Sequence, residues 1–248
     1  MVKSGGIRVL VALVLVGSAV SVTRPAGEQV HVVGHAILAG GPMTAVGPDN
    51  TCVDTSYALK SWWLSGAYSW YYNGAGAPSP VVSTALSAIT TSTDTALKGA
   101  NRCGLPATLP FTHKYLGTST AKPQVSVDAT CTGNDGKSVT GWGSLPPKVL
   151  AYTCTYYRSN GTILASDVLI DNVLHPWFTT LTSSCSGAYD LVTTMVHERL
   201  HTLGLGHVDQ VTSANQVMVP ASAPCDTTRR LLGYGDYGGV KALAARTG

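Results

Sequence analysis

The sequence predicts an α+β fold, and three observations predict it. Five segments between residues 63 and 171 are rich in β-branched and aromatic residues and bounded by turn signals. A stretch with apolar residues at helical spacing follows the first of them, and two more helical stretches close the chain after residue 190. At 248 residues the chain can bury one sizeable core, and no shift in composition divides it. One folded domain is expected over residues 63–248, preceded by a leader (1–26) and a segment of open role (27–62).

The leader has Lys3 and Arg8, an apolar run over 9–16, and then the small residues Gly17, Ser18, Ala19 and Ser21. Charged head, short apolar centre and small-residue exit are the parts of a secretory signal peptide. The run falls short of the roughly 20 residues that span a bilayer. Cleavage is expected after Ser21, or as late as Ala26, so the protein is expected to be secreted. Lys3, Arg8 and Arg24 account for the whole formal charge of +3. The mature chain is then neutral and has no cluster of Lys or Arg, which excludes nucleic acid and an anionic membrane as partners.

Six cysteines behind a signal peptide read as three disulfides made in an oxidising compartment. No CxxC pair points to zinc-binding thiolates. The sequence leaves the pairing open; the working expectation is Cys103 with Cys131, Cys185 with Cys225, and Cys52 with Cys154.

Residues 27–62 are poor in charge and carry His31 and His35 in VHVVGHAILAGG. Gly34 and the β-branched neighbours disfavour a helix there. The two histidines are therefore expected on a strand or loop and not as metal ligands. The segment is either a short pro-segment or an extension packed on the domain.

Residues 68–72 (YSWYY) form the first expected strand of the domain, stopped by Asn73-Gly74 and a Gly/Pro-rich loop to Pro80. A helix is expected over 81–97, with Val82, Leu86, Ile89 and Leu97 on its apolar side. Four more strands follow at 111–117, 138–142, 149–157 and 163–170, separated by turn signals such as Asn134-Asp135-Gly136 and Asn160-Gly161. His113 and His175 lie outside any ligand spacing and are expected to be structural or on the surface. Asp128, Asp135, Asp167 and Asp171 could offer oxygen to Ca2+, but no calcium loop is present.

Asp190 is the expected N-cap of a helix over 191–203, with Leu191, Met195, Val196, Leu200 and Leu203 available to the core. This helix runs into HERLHTLGLGH at 197–207. His197 and His201 are four residues apart and lie on one helical face, so both imidazoles can reach one ion. Glu198 leaves the helix beside that ion, where a general base for a zinc-activated water belongs. Gly204 ends the helix at no steric cost in the left-handed conformation, and His207 arrives as a third ligand. Three imidazoles leave a fourth position open, the mark of a catalytic rather than a structural Zn2+ site. Five specified positions occur by chance on the order of once in a hundred thousand such chains.

HExxHxxGxxH resembles the signature of the metzincin metalloproteases, whose second mark is a methionine turn downstream. Met218 lies eleven residues past His207 in NQVMVPAS, and Pro220 matches the proline that matrixins carry two residues after their methionine. The resemblance spans roughly 63–248 and implies a twisted, mainly parallel five-stranded sheet, an active-site helix and a closing helix beginning near Asp236 as N-cap. It also implies that the strand at 163–170 is an exposed edge over the cleft, to which an extended polypeptide adds. The Cys185–Cys225 pair would tie the start of the active-site helix to the segment after the methionine turn. Arg199 and Leu200 depart from the apolar residue and glycine that matrixins commonly carry there. Residues 101–106 (NRCGLP) invite comparison with the cysteine switch of matrixin zymogens, yet they follow the first strand and helix, so a disulfide is expected for Cys103.

The function these readings imply is a secreted, monomeric zinc endopeptidase acting on polypeptides, with Glu198 as general base. The rival reading is a non-catalytic exported zinc-binding module of the same fold.

Overall fold

A computed structural model describes residues 29–41 and 52–246. The expected signal peptide lies outside the described residues. In chain order the elements are β1 (Val30–Ala39), β2 (Ala58–Leu59), β3 (Ala67–Asn73), α1 (Ala85–Lys98), β4 (Thr112–Thr118), β5 (Val139–Gly143) and β6 (Val149–Arg158). They continue with β7 (Ile163–Asp171), β8 (Trp177–Phe178), β9 (Tyr189–Asp190), α2 (Leu191–Leu203), β10 (Leu205–Gly206), β11 (Ala221–Ser222) and α3 (Tyr234–Ala244). Among the described residues no helix is long and apolar enough to cross a membrane.

The protein is mixed α and β, with a seven-stranded sheet in the order β11-β1-β6-β7-β5-β3-β4. β4, β3, β5 and β7 run parallel, β6 is antiparallel to β7, and β1 is antiparallel to β6 and parallel to β11. All five expected strands form, but two more join them. The expected five-stranded sheet is therefore corrected to seven, because residues 30–39, expected as a pro-segment or an extension packed on the domain, enter the sheet as a strand. They pair with β6 over nearly its whole length.

The expected edge strand is also corrected. β7 lies inside the sheet, between β6 and β5, and seven of its nine residues are buried, which an edge facing solvent would not allow. The strand that would be an edge without β1 is β6.

α1 begins at Ala85 rather than 81, since residues 81–84 form turns that lead into it. It packs on α2, and its buried residues Ala85, Ala88, Ile89, Ala96 and Leu97 join Leu191, Met195, Val196, Leu200 and Leu203 of α2 in the main core. Asp190 caps α2 as expected: its carboxylate accepts from the amides of Val192 and Thr193, and Arg230 grips both of its oxygens at 2.8 and 2.7 Å. A capping carboxylate of this kind is worth about 1 kcal/mol. In α3 the N-cap is Gly233 and not Asp236, which sits one turn in and accepts the Gly233 amide at 2.9 Å.

Three disulfides form, Cys52–Cys103, Cys131–Cys154 and Cys185–Cys225, and they suit an oxidising environment. Only the third matches the expected pairing. The other two are decided by tertiary packing: Cys131, bridged to Val125, meets Cys154 on β6, and Cys103, just after α1, meets Cys52 before β2. Cys103 is thus a disulfide partner, as its position after α1 implied.

Candidate metal centre

α2 carries His197 and His201 on the face turned to the segment that follows it, and Gly204 brings His207 back to them. Gly204 adopts φ 118°, and a Cβ there would stand 2.3 Å from the Trp62 carbonyl oxygen, so only glycine lets the chain turn so close. The ligand atoms of His197, His201 and His207 lie within 4.8 Å of one another. The Nε2 atoms of His197 and His201 approach that of His207 to 3.1 and 3.0 Å.

The other ring nitrogens explain what these three atoms face each other with. His197 Nδ1 lies 2.8 Å from the Val217 carbonyl, and His201 Nδ1 lies 2.9 Å from the Leu205 carbonyl. A carbonyl only accepts, so each Nδ1 carries the hydrogen and each Nε2 is a bare lone pair when the ring is neutral. Burial keeps the rings neutral: His197 and His201 are held well below the ordinary histidine range. His207 is pushed down to about 4, by burial first and then by the Lys60 ammonium. Lone pairs converging in a buried place repel one another unless a cation stands between them. The arrangement fits a metal held by three imidazoles whose orientation is set by backbone carbonyls.

Glu198 is wholly buried beside this cluster. Its Oε2 accepts from the Thr153 hydroxyl on β6, while Oε1 has no hydrogen-bond partner. Burial pushes the carboxyl up to about 8, against the opposing pull of the Thr153 hydroxyl and the Ile37 amide. A cation among the histidines would draw it back toward the carboxylate. An orphaned carboxylate oxygen next to a lone-pair cluster is where a proton can be taken up.

Below the cluster, Asp236 ties α3 to the methionine segment. Its carboxylate accepts from the Val217 amide at 2.7 Å and the Met218 amide at 3.2 Å. Val217 in turn offers its carbonyl to His197, so Asp236 orients a ligand through one residue. Met218 is buried in the main core, and its carbonyl accepts from Val208, next to His207. Pro220 gives its carbonyl to Leu38 of β1.

Three features were missed at the level of sequence. Asp236 was expected only as a cap. Arg199 was noted only as a departure in packing, yet it is fully buried and bonds three hydroxyls from α1, β3 and β5. His35 was set aside as a ligand and is outside the metal cluster, but its ring stacks on His201 at 4.5 Å. Gly34 and the β-branched neighbours of His35 disfavour a helix, and nothing local says on which element a strand there lies.

The remaining candidates are structural. His113 takes the Trp70 indole N–H on Nδ1 at 3.1 Å and faces Asp94 through Nε2, and His175 pairs with Asp171. Asp209 is exposed and closes a turn through the amides of Val211 and Thr212. Asp167 and Asp171 spend their oxygens on backbone amides. Among the described residues, the three histidines are the one group of three or more side chains placed to hold a metal. No protein-family model matches the chain, and no curated protein matches it either.

Proposed function

We propose that the chain is a secreted zinc-dependent endopeptidase, resembling the matrixin-like metzincins, that hydrolyses polypeptides. The observation that carries this reading is the convergence of three Nε2 atoms, those of His197 and His201 bare lone pairs, beside a buried carboxylate with a free oxygen. His197, His201 and His207 would hold the Zn2+, which when bound supplies a Lewis acid that polarises a carbonyl and acidifies water. Glu198 takes a proton on Oε1 and hands it to the departing amine, while Thr153 holds Oε2 and keeps the carboxylate in one orientation. Val217 and Leu205 fix the ligand rings through their carbonyls. Three disulfides support export, as the leader does.

The test joins metal analysis with hydrolysis. Purified protein should carry one zinc per chain, and in a form whose site is open its cleavage of an unstructured protein such as casein should stop with a chelator. Glu198→Ala should keep the zinc and lose hydrolysis by at least about a hundredfold. An undiminished rate in that variant would sink the role of Glu198. A second reading, a non-catalytic exported zinc-binding module, draws on the complete burial of Glu198. Zinc without cleavage of any polypeptide, in a form whose site is open, would favour it.

A further inference from the structure

β1 is the element that closes the site. It lies in the slot between β6 and the segment after Met218, and it is bonded on both sides. Toward β6 it pairs from Val30 with Arg158 to Leu38 with Val149. On its other edge the Leu38 amide donates to Pro220 at 2.9 Å, and the Gly40 amide donates to Ser222 at 3.0 Å. In that slot His35 stacks on His201, and the Ile37 amide faces the Glu198 carboxylate. The register slips between Ile37 and Leu38, which is where the strand passes the site.

How β1 is held matters as much as where it lies. Of its ten residues only Ile37 is buried, at 2 % exposure; Leu38 is exposed and the rest are half-buried. Ile37 enters the main core, whereas Ala36 turns to the opposite side, against the small cluster of Leu145, Val149 and Leu169. Main-chain bonds therefore supply most of the fit, and any extended peptide can make them. Ile37 is the one fully buried anchor, with Ala36, Ala39, Val30 and Val32 packed at the margins of the core and His31 and His35 stacked on Tyr157 and His201.

Resting on the protease reading above, we propose that β1 occupies the substrate groove as a stand-in for an extended peptide, so that residues 34–39 hold the full chain closed. The groove they fill accepts polypeptides that present a small residue followed by a branched aliphatic one, as Ala36 and Ile37 do. The next covalent anchor is Cys52, bound to Cys103, so a cut between Gly41 and Cys52 frees β1 without opening a disulfide.

The test measures binding and not turnover. A sequence for a specific protease is inserted between Gly41 and Cys52 of the full chain carrying Glu198→Gln, and the zinc-loaded protein is compared before and after the cut. The probe is a fluorescent synthetic peptide with the sequence of residues 30–41, followed by anisotropy. A tethered strand has an effective concentration on the order of millimolar, so the uncut chain should bind the probe at least about a hundredfold more weakly than the cut chain. The cut chain should exchange its own fragment for the probe, as seen by mass spectrometry. A probe with aspartate in place of Ile37 should bind at least about tenfold more weakly. An uncut chain bearing Ile37→Asp should take up the unaltered probe.

Equal binding by cut and uncut chains would overturn the proposal. So would a cut chain that keeps its helical circular dichroism and three disulfides and binds no probe. Failure of the protease reading looks different: the cut chain with Glu198 intact would bind the probe and leave it whole.

Discussion

The guanidinium of Arg199 donates through Nη1 to the Tyr68 hydroxyl at 2.9 Å and lies over the same ring at 5.0 Å. Nε donates to Thr93 on α1 and Nη2 to Thr140 on β5, and the Trp70 ring lies 5.0 Å away. A fully buried cation is thus met by neutral hydroxyls and ring faces, which join α2 to α1 and to the sheet directly behind Glu198. Taking a charge out of water is costly, and the three hydrogen bonds and two rings offset that cost only together.

Arg199→Lys should accordingly destabilise the protein. An ammonium cannot reach three hydroxyls in fixed directions, and those left unpaired cost about 1–3 kcal/mol each. The expected loss is on the order of 2–4 kcal/mol, measured by urea unfolding. Zinc stoichiometry should stay at one per folded chain, because Arg199 touches none of the three histidines. Unaltered stability in Arg199→Lys would mean that the guanidinium geometry is not used.

Glu198 should make the metal-free protein's stability depend on pH. Its folded-state value of about 8 stands above the ordinary 4.5, so the folded chain holds this proton more tightly than the unfolded one. Its contribution is fully present below 4.5 and is lost as pH rises through about 8. Glu198→Gln does not titrate, so its melting temperature relative to wild type should climb between pH 4.5 and 8. Zinc should flatten that climb, since a cation favours the carboxylate. A difference that stays level with pH in the metal-free proteins would refute the shift.

Gly204→Ala should be among the most damaging single changes. The backbone there is left-handed, and the new Cβ would meet a carbonyl of the 62–63 peptide rather than a movable side chain. A loss of at least about 2 kcal/mol is expected, with weakened zinc binding because His207 follows three residues later. Thermal melts with and without zinc separate the two effects.

Asp236→Ala should loosen the metal site without touching it. Three backbone amides, those of Val217, Met218 and Gly233, lose their acceptor, and Val217 is the residue that orients His197. Zinc affinity should fall about tenfold to a hundredfold, as for other changes one shell out from a metal. Competition with a chelator of known affinity reads this directly. Asp236→Glu is the control that keeps the charge and shifts its reach.

The sequence by itself determined what is local. α2 is capped by Asp190 and ends at Gly204 because a capping carboxylate and a residue free of Cβ stand there; His197 and His201 share a face by helical spacing, and the turn at Gly204 returns His207 to them. The five strands of residues 67–171 were legible for the same reason, since alternation and turn residues act over a few positions. Tertiary structure alone decided what joins distant residues. Nothing within residues 30–39 specifies pairing with 149–158, and main-chain bonds carry no side-chain code, so β1's place and the inward position of β7 could not be read in advance. Two disulfide pairs depended on that packing, and so did the burial of Arg199, whose three acceptors lie 59 to 131 residues away. Contacts of that separation are selected by the whole core at once, whereas a helix and its metal ligands are selected turn by turn.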